Sequence, residues 1–293
     1  MRFKFWGVRG SIATPGPSTL KYGGNTTCIE IRTDNGDLII LDAGTGIHML
    51  GQELLKQLPI TAHIFITHTH WDHIQGLPLF APIFIPGNQL NIYGGLDPVT
   101  NEGIERALDV QFQYSYFPIR KAELNANVKY NTIKPDIPVN IGSAQITPTI
   151  LNHPVLNFGY RIDCDGQSLF FTGDFESQFN IYAPDDSEYD NHQLLIDKKQ
   201  NEIILAMKGV DALIVDSSFT ANEYKSKKGW GHGTYESAIK FASLAKAKNL
   251  YFTHHEPTRS DEQLEQIYEK LLKKHADLDY EIFLAREGID ISL

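Results

Sequence analysis

The sequence predicts an α/β fold in which two mixed β-sheets pack face to face and helices cover the outside. Three observations predict it. Short β-rich runs alternate with stretches of helical periodicity along all 293 residues. The chain divides into two halves of similar β-then-α order, as a two-sheet sandwich with outer helices requires. Several apolar runs end in side chains that bind metals, which places chemistry at strand ends, where backbone positions are fixed.

The elements follow in order. Residues 1–8 open the first half, and Arg2-Phe3-Lys4-Phe5-Trp6 alternates charge with aromatics as a strand does. Strands are expected at 27–33, 37–42, 63–67 and 89–93, with helices at 46–58 and 99–108. In the second half, strands are expected at 126–133, 144–151, 157–163, 168–173, 211–216, 249–253 and 279–285. Helices there are expected at 193–208, 234–248 and 261–275. The last has Ser260 or Asp261 as N-cap and Leu264, Ile267, Tyr268, Leu271 and Leu272 at helical spacing. No Pro/Ser-rich linker separates the halves, so residues 1–293 read as one domain. Two stretches read as insertions. Residues 81–125 carry Pro82, Pro86, Gly87 and the aromatics Phe112, Tyr114, Tyr116 and Phe117. Residues 176–192, with Pro184, Asp185, Asp186, Glu188 and Asp190, read as a polar surface loop.

Composition narrows the function. The net charge is −10, from 26 basic and 36 acidic residues. Polyanion binding runs mainly on Lys and Arg neutralising phosphate, so no stable nucleic-acid complex is expected; the densest basic group is Lys225, Lys227 and Lys228. The two cysteines, Cys28 and Cys164, make no disulfide framework and fit a reducing compartment. Neither a signal-peptide-like stretch nor a membrane span stands out. A soluble cytoplasmic protein is the expectation.

The segment Thr67-His68-Thr69-His70-Trp71-Asp72-His73 follows the apolar Ile64-Phe65-Ile66 and holds three imidazoles and a carboxylate. That is too many ligands for one tetrahedral ion and suggests two ions in one pocket. Downstream, His153 follows the apolar run 146–151, Asp174 follows Leu169-Phe170-Phe171, and His254 and His255 follow 250–253.

With the Leu41-Asp42-Ala43-Gly44-Thr45-Gly46 turn, the His-x-His-x-Asp-His at 68–73, His153, Thr172-Gly173-Asp174 and His254, the chain resembles the metallo-β-lactamase superfamily along essentially its whole length. The resemblance implies an αββα sandwich and a pair of divalent ions, with Zn favoured over Mn. By the same resemblance His68, His70 and His153 hold the first ion, and Asp72, His73 and His254 hold the second. Asp174 bridges the two, and Asp42 supports the site without binding metal. Alignment on Thr253 favours His254, with His255 as the alternative. No Cys matches the second-metal ligand of many true β-lactamases. Flavodiiron-like sites place Glu where this chain has His70.

Gly23-Gly24-Asn25-Thr26-Thr27-Cys28, Phe158-Gly159-Tyr160-Arg161, Gly231-His232-Gly233-Thr234 and Thr253-His254 with Arg259 resemble the phosphodiesterase branch. That branch includes RNase Z-type tRNA endonucleases and cyclic-phosphate phosphodiesterases. The tRNA endonucleases carry a long arm between the residues matching His153 and Asp174, which here lie only 21 positions apart. Their His-Glu-Ala-Thr element corresponds to Asp216-Ser217-Ser218-Phe219-Thr220, without His. The expected substrate is therefore a small phosphodiester, foremost a cyclic nucleotide.

Two ions about 3.5–4 Å apart can hold a bridging hydroxide as nucleophile. Catalytic roles are expected for Asp72 through the metals and for His232 as proton donor to the leaving alkoxide. An ordinary turn histidine is the other reading of His232. His48, His63, His192 and His275 are assigned nothing. The branch often forms homodimers, and the aromatics of 81–125 offer a surface for one. Hydrolysis of a lactone or thioester at the same metals, and a metal-dependent sensor without turnover, are the rival functions.

Overall fold

A computed structural model of the chain describes residues 1–97 and 99–293. One seven-stranded sheet is built from β1 (Arg2–Gly7), β2 (Cys28–Arg32), β3 (Leu38–Leu41), β4 (Thr61–Phe65), β5 (Gln89–Gly94), β6 (Asn127–Thr132) and β14 (Asp290–Ser292). Its order is β14-β1-β2-β3-β4-β5-β6, parallel from β3 to β6. The second sheet contains β7 (Val139–Ile141), β8 (Ala144–Leu151), β9 (Asn157–Cys164), β10 (Gln167–Phe171), β11 (Ala212–Asp216), β12 (Asn249–Thr253) and β13 (Glu281–Leu284). Its order is β13-β12-β11-β10-β9-β8-β7, parallel from β10 to β13.

Three apolar layers hold the sandwich. Phe3, Phe5, Ile39 and Leu41 meet Phe158, Tyr160, Leu169 and Phe171 between the sheets. Leu38, Ile40 and Ile64 face outward onto α1 (Gly46–Leu54) and α3 (Ile104–Asp109). Leu213, Val215 and Phe252 face outward onto α4 (Tyr189–Ala206), α6 (Tyr235–Ala245) and α7 (Asp261–Lys274). Because both faces of β3 are covered, Leu38-Ile39-Ile40-Leu41 is an unbroken apolar run, with all four residues at most 2% exposed. Burying each such side chain stabilises the fold by about 1.5–3 kcal/mol.

The structure departs from the expected elements at several points. The 46–58 helix stops at Leu54 and tightens into a 3₁₀ turn over Leu55–Gln57, because Leu58 before Pro59 is extended. The 99–108 helix begins only at Ile104. Ahead of it, Asp97 accepts hydrogen bonds from the Val99 and Thr100 amides and Asn101 takes φ 58°.

The stretch 81–125 is not wholly an insertion, since β5 lies inside it between β4 and β6. Its aromatics also divide: Phe112 is buried, whereas Tyr114 and Tyr116 are exposed. The polar loop 176–192 ends early, because α4 starts at Tyr189 with Asp190 in its first turn, where a carboxylate meets the helix dipole favourably. Ser260 is the N-cap of α7 and accepts from the Gln263 amide. Both cysteines are buried and free. Among the described residues no helix is long and apolar enough to cross a membrane.

Candidate metal centre

The candidate residues lie at or just beyond strand ends. Asp42 follows β3, His68 and His70 follow β4, His153 follows β8, Asp174 follows β10 and His254 follows β12. The one-turn helix α2 (Trp71–Ile74) adds Asp72 and His73. Asp42 and His254 take positive φ, 61° and 57°, as the chain turns at the strand end. Gly10 packs so closely on His254 that a methyl group there would sit 2.3 Å from the ring.

All seven candidate ligands converge. Asp174 Oδ1 lies 3.0 Å from His73 Nε2 and 3.0 Å from His254 Nε2. Asp174 Oδ2 lies 3.5 Å from His68 Nε2 and 3.8 Å from His153 Nε2. His153 Nε2 is 3.1 Å from His70 Nδ1. Asp72 Oδ2 is 3.1 Å from His254 Nε2 and 3.4 Å from His73 Nε2. The donor atoms thus form two groups that share Asp174: His68, His70 and His153 on one side, and Asp72, His73 and His254 on the other. Within each group they lie within 4.8 Å of one another, and a third set, Asp174, Asp216, His232 and His254, is equally close and overlaps the second.

A second ring of contacts orients the imidazoles. His73 Nδ1 donates to Asp42 Oδ2 at 2.7 Å, and Asp42 also accepts from the Thr67 amide and hydroxyl. His153 Nδ1 donates to the Gly231 carbonyl at 2.9 Å. His68 Nδ1 meets Thr67 Oγ1 at 3.0 Å, and His254 Nδ1 meets Ser218 Oγ at 3.0 Å. The Ser11 amide donates to Asp72 Oδ2 at 2.7 Å. Far-side partners of this kind fix tautomer and ring orientation in metal sites.

The inward atoms behave differently. His68 Nε2, His73 Nε2 and Asp174 Oδ1 are buried without a hydrogen-bond partner. Leaving polar atoms so costs free energy. Their 3.0–3.5 Å approaches lack hydrogen-bond geometry, as expected of atoms aimed at a shared point. The donor set therefore fits divalent cations.

Electrostatics agree. Burial opposes charge on His73 and His254, but Asp174 with Asp72 and Asp42, or with Asp216, outweighs it and raises both pKa values. Burial also opposes charge on Asp174, yet His254 and His73 hold its pKa well below the usual range. A pocket that stabilises positive charge favours cations, and ligation would release the imidazole protons. His68, His70 and His153 are lowered by burial and are therefore ready as neutral ligands.

His232 stands beside this cluster, with Nδ1 donating to Asp216 Oδ2 at 2.9 Å and lying 3.7 Å from Asp174 Oδ2. Its ring stacks on His254 at 4.8 Å. Burial works against its protonation, but Asp216 and Asp174 raise its pKa overall. His255 points away: its Nε2 donates to the Ala285 carbonyl at 2.9 Å, so the geometry favours His254 at the centre. His63 and His275 take no part, and His192 lies on α4.

Two residues gain a part that the sequence reading did not assign. Asp216, with its hold on His232, ends the apolar run Ala212-Leu213-Ile214-Val215, so the strand-end rule was sufficient to find it. Glu176, 2% exposed, accepts from the Gly229 amide at 2.7 Å, the Gly231 amide at 2.8 Å and the Tyr224 hydroxyl at 2.5 Å. It thereby ties the end of β10 to the loop that carries His232 and meets His153. No local sequence signal marks this, because its partners are mostly backbone amides.

A family model described as a beta-lactamase superfamily domain matches residues 38–255, a span containing Asp42 and all seven candidate ligands. The Ribonuclease Z of Staphylococcus haemolyticus (strain JCSC1435) is 24% identical over 308 aligned positions, covering 95% of each protein. Among solved structures, a diphosphatase from the PhnP family has a TM-score of 0.65 at 20% identity, over 100% of this chain and 97% of that one. Human tRNase Z, short form (ELAC1), has a TM-score of 0.62 at 20% identity, over 100% and 99% of the two chains. These structural likenesses speak for the fold. With the two packed sheets and the family match in agreement, the chain belongs to the metallo-β-lactamase superfamily of hydrolases.

Proposed function

We propose that this protein is a dinuclear metal-dependent phosphodiesterase acting on a small phosphodiester, foremost a cyclic nucleotide. The observation that carries the reading is Asp174, whose two oxygens face two separate groups of donors at 3.0 and 3.5 Å. His68, His70 and His153 would hold one cation, Asp72, His73 and His254 the other, with Asp174 between them. A nitrogen and oxygen donor set without thiolate suits Zn, or Mn in second place. Such a pair supplies Lewis-acid polarisation of the phosphoryl oxygens and an acidified water at neutral pH.

The chain's own groups do the rest. The Ser11 amide holds Asp72, and Asp42 fixes the His73 tautomer. Asp216 keeps His232 oriented and protonated through Nδ1, which leaves Nε2 to give a proton to the departing alkoxide.

The interval between His153 and Asp174 supports a small substrate. It is filled by the β9–β10 hairpin, whose turn is Asp165-Gly166 with φ 56° and 76°, and an arm has no place there. The net charge of −10 points the same way. The Ribonuclease Z relatives favour a second reading, endonucleolytic cleavage of RNA.

The test is a panel of bis-aryl phosphate, cyclic AMP, cyclic GMP, a precursor tRNA, a lactone and a β-lactam, run with Zn- and Mn-loaded protein alongside metal analysis. Turnover of the small phosphodiesters with two ions per chain is expected. Turnover of only the carbonyl substrates overturns the reading, and preferential cleavage of the precursor tRNA establishes the second one. Binding of a cyclic nucleotide without hydrolysis by metal-replete protein points to a sensor.

A further inference from the structure

A cavity of about 430 Å³ adjoins the metal centre and shares His153 and Gly231 with it as walls. The segment after Asp174 contributes Phe179, Ile181 and Gln178, and α4 contributes His192 and Ile196. The volume falls within the roughly 300–1,000 Å³ of pockets that bury small organic ligands. A second cavity beside His68 is about 200 Å³, below that range, and its walls include the aliphatic Leu96, Ile104 and Leu156.

The larger cavity has the makeup of a site for a flat heterocycle. Phe179 supplies an aromatic ring and Ile181 and Ile196 supply aliphatic walls, while the Gln178 amide and the His192 ring offer polar edges. Apolar walls with a few polar groups hold and orient a ring that carries its own donors and acceptors.

The rim adds charge and apolar surface. The Lys228 ammonium sits 4.0 Å from the centre of the Phe179 ring. The Lys227 ammonium lies 5.0 Å from Trp230 and 4.7 Å from Phe219, which packs edge-on against His232. Two cations so placed on a chain of net charge −10 complement an anion whose phosphorus sits at the metals. Ile181 and Trp230 are 71% and 59% exposed at this rim, and no core packing accounts for them.

We propose that this cavity binds the nucleobase end of a nucleoside phosphodiester, with the phosphate at the metal centre and Lys227 and Lys228 facing its charge. The proposal rests on the phosphodiesterase reading and sharpens its substrate class. A free cyclic mononucleotide and the 3′ end of an RNA carry the same chemistry, and the test separates them.

Zn-loaded wild type, Phe179→Ala and Ile196→Trp are compared on cyclic AMP, adenosine 2′,3′-cyclic phosphate and glycerol 1,2-cyclic phosphate, which lacks a base. Phe179→Ala removes the aromatic ring from the cavity wall, and Ile196→Trp adds bulk to the cavity from α4. Wild type should prefer the nucleotides, and each variant should reduce that preference about tenfold, mainly through KM. Calorimetric titration with adenosine 5′-monophosphate should show a comparable loss of affinity.

Equal turnover of the nucleotides and the glycerol ester by wild type overturns the cavity assignment and leaves the phosphodiesterase reading intact. So does an unchanged preference in both variants. No turnover of any phosphodiester by Zn- or Mn-loaded protein overturns both. An oligoribonucleotide ending in a 2′,3′-cyclic phosphate supplies the remaining arm. If the Phe179→Ala loss is greater on that oligomer, the cavity takes an RNA end, and if greater on the mononucleotide, it takes a free nucleotide.

Discussion

At Asp174 a single carboxylate serves two neighbourhoods, with Oδ1 3.0 Å from His73 and His254 and Oδ2 3.5 Å from His68. Asp174→Ala should therefore lose one or both ions, read by elemental analysis of dialysed protein. Full metal content in that variant contradicts the ligand assignment. His232 meets the centre through the Asp216 hydrogen bond, the His254 stack and a 3.7 Å approach to Asp174. His232→Ala should keep both ions and lower kcat by roughly 10²–10⁴-fold, most for poor leaving groups. The pH profile supplies a second check. Asp216 and Asp174 overcome burial and raise the His232 pKa in the metal-free chain, and with Asp216 holding Nδ1 its acid form is lost as pH rises. Wild type should show that alkaline limb, and His232→Ala should lack it. An unchanged rate with a poor leaving group removes His232 from the chemistry.

Element by element, the C-terminal ends of strands position this centre, parallel ones except for the antiparallel β8 before His153, and that is why much of it was legible. The apolar runs before His68, Asp174, Asp216 and His254 are buried on both faces, so they stand out in the sequence and mark where each strand stops. The one-turn helices α2 and α5 (Ala221–Tyr224) are too short to show a hydrophobic period and left no such mark. Glu176 belongs to this scale because it joins elements: its carboxylate holds the Gly229 and Gly231 amides, and the Gly231 carbonyl holds His153. Glu176→Gln replaces one acceptor oxygen with an amide that cannot accept. Affinity for one of the two ions should fall roughly tenfold, measured by chelator competition. Unchanged binding of both ions would show that the loop holds its place without this tie.

The whole molecule adds a dependence on acid. Burial, helped by the charges of Arg9 and Arg259, pushes the pKa of His255 down to about 3. In the unfolded chain it returns to about 6.5. The folded form with neutral His255 is thus favoured above about pH 6.5, and that stability is lost as pH falls toward about 3. Between pH 6.5 and 4.5 the loss should reach up to about 2 kcal/mol. Urea unfolding at the two pH values checks this, with a weaker pH dependence expected for His255→Gln. The same dependence in both proteins removes His255 as its source.

By itself the sequence determined the sandwich, the kinds of donor and the strand ends that carry them, because hydrophobic period and side-chain chemistry are local properties. Only the tertiary structure decided which of two adjacent histidines faces inward, since that turns on the φ of 57° at His254 and on the Ala285 carbonyl that receives His255. It alone paired Asp216 with His232, set Glu176 under the His232 loop and brought Asp72 to His254 across 182 positions. Those meetings depend on how two sheets pack, and no stretch of sequence contains both partners.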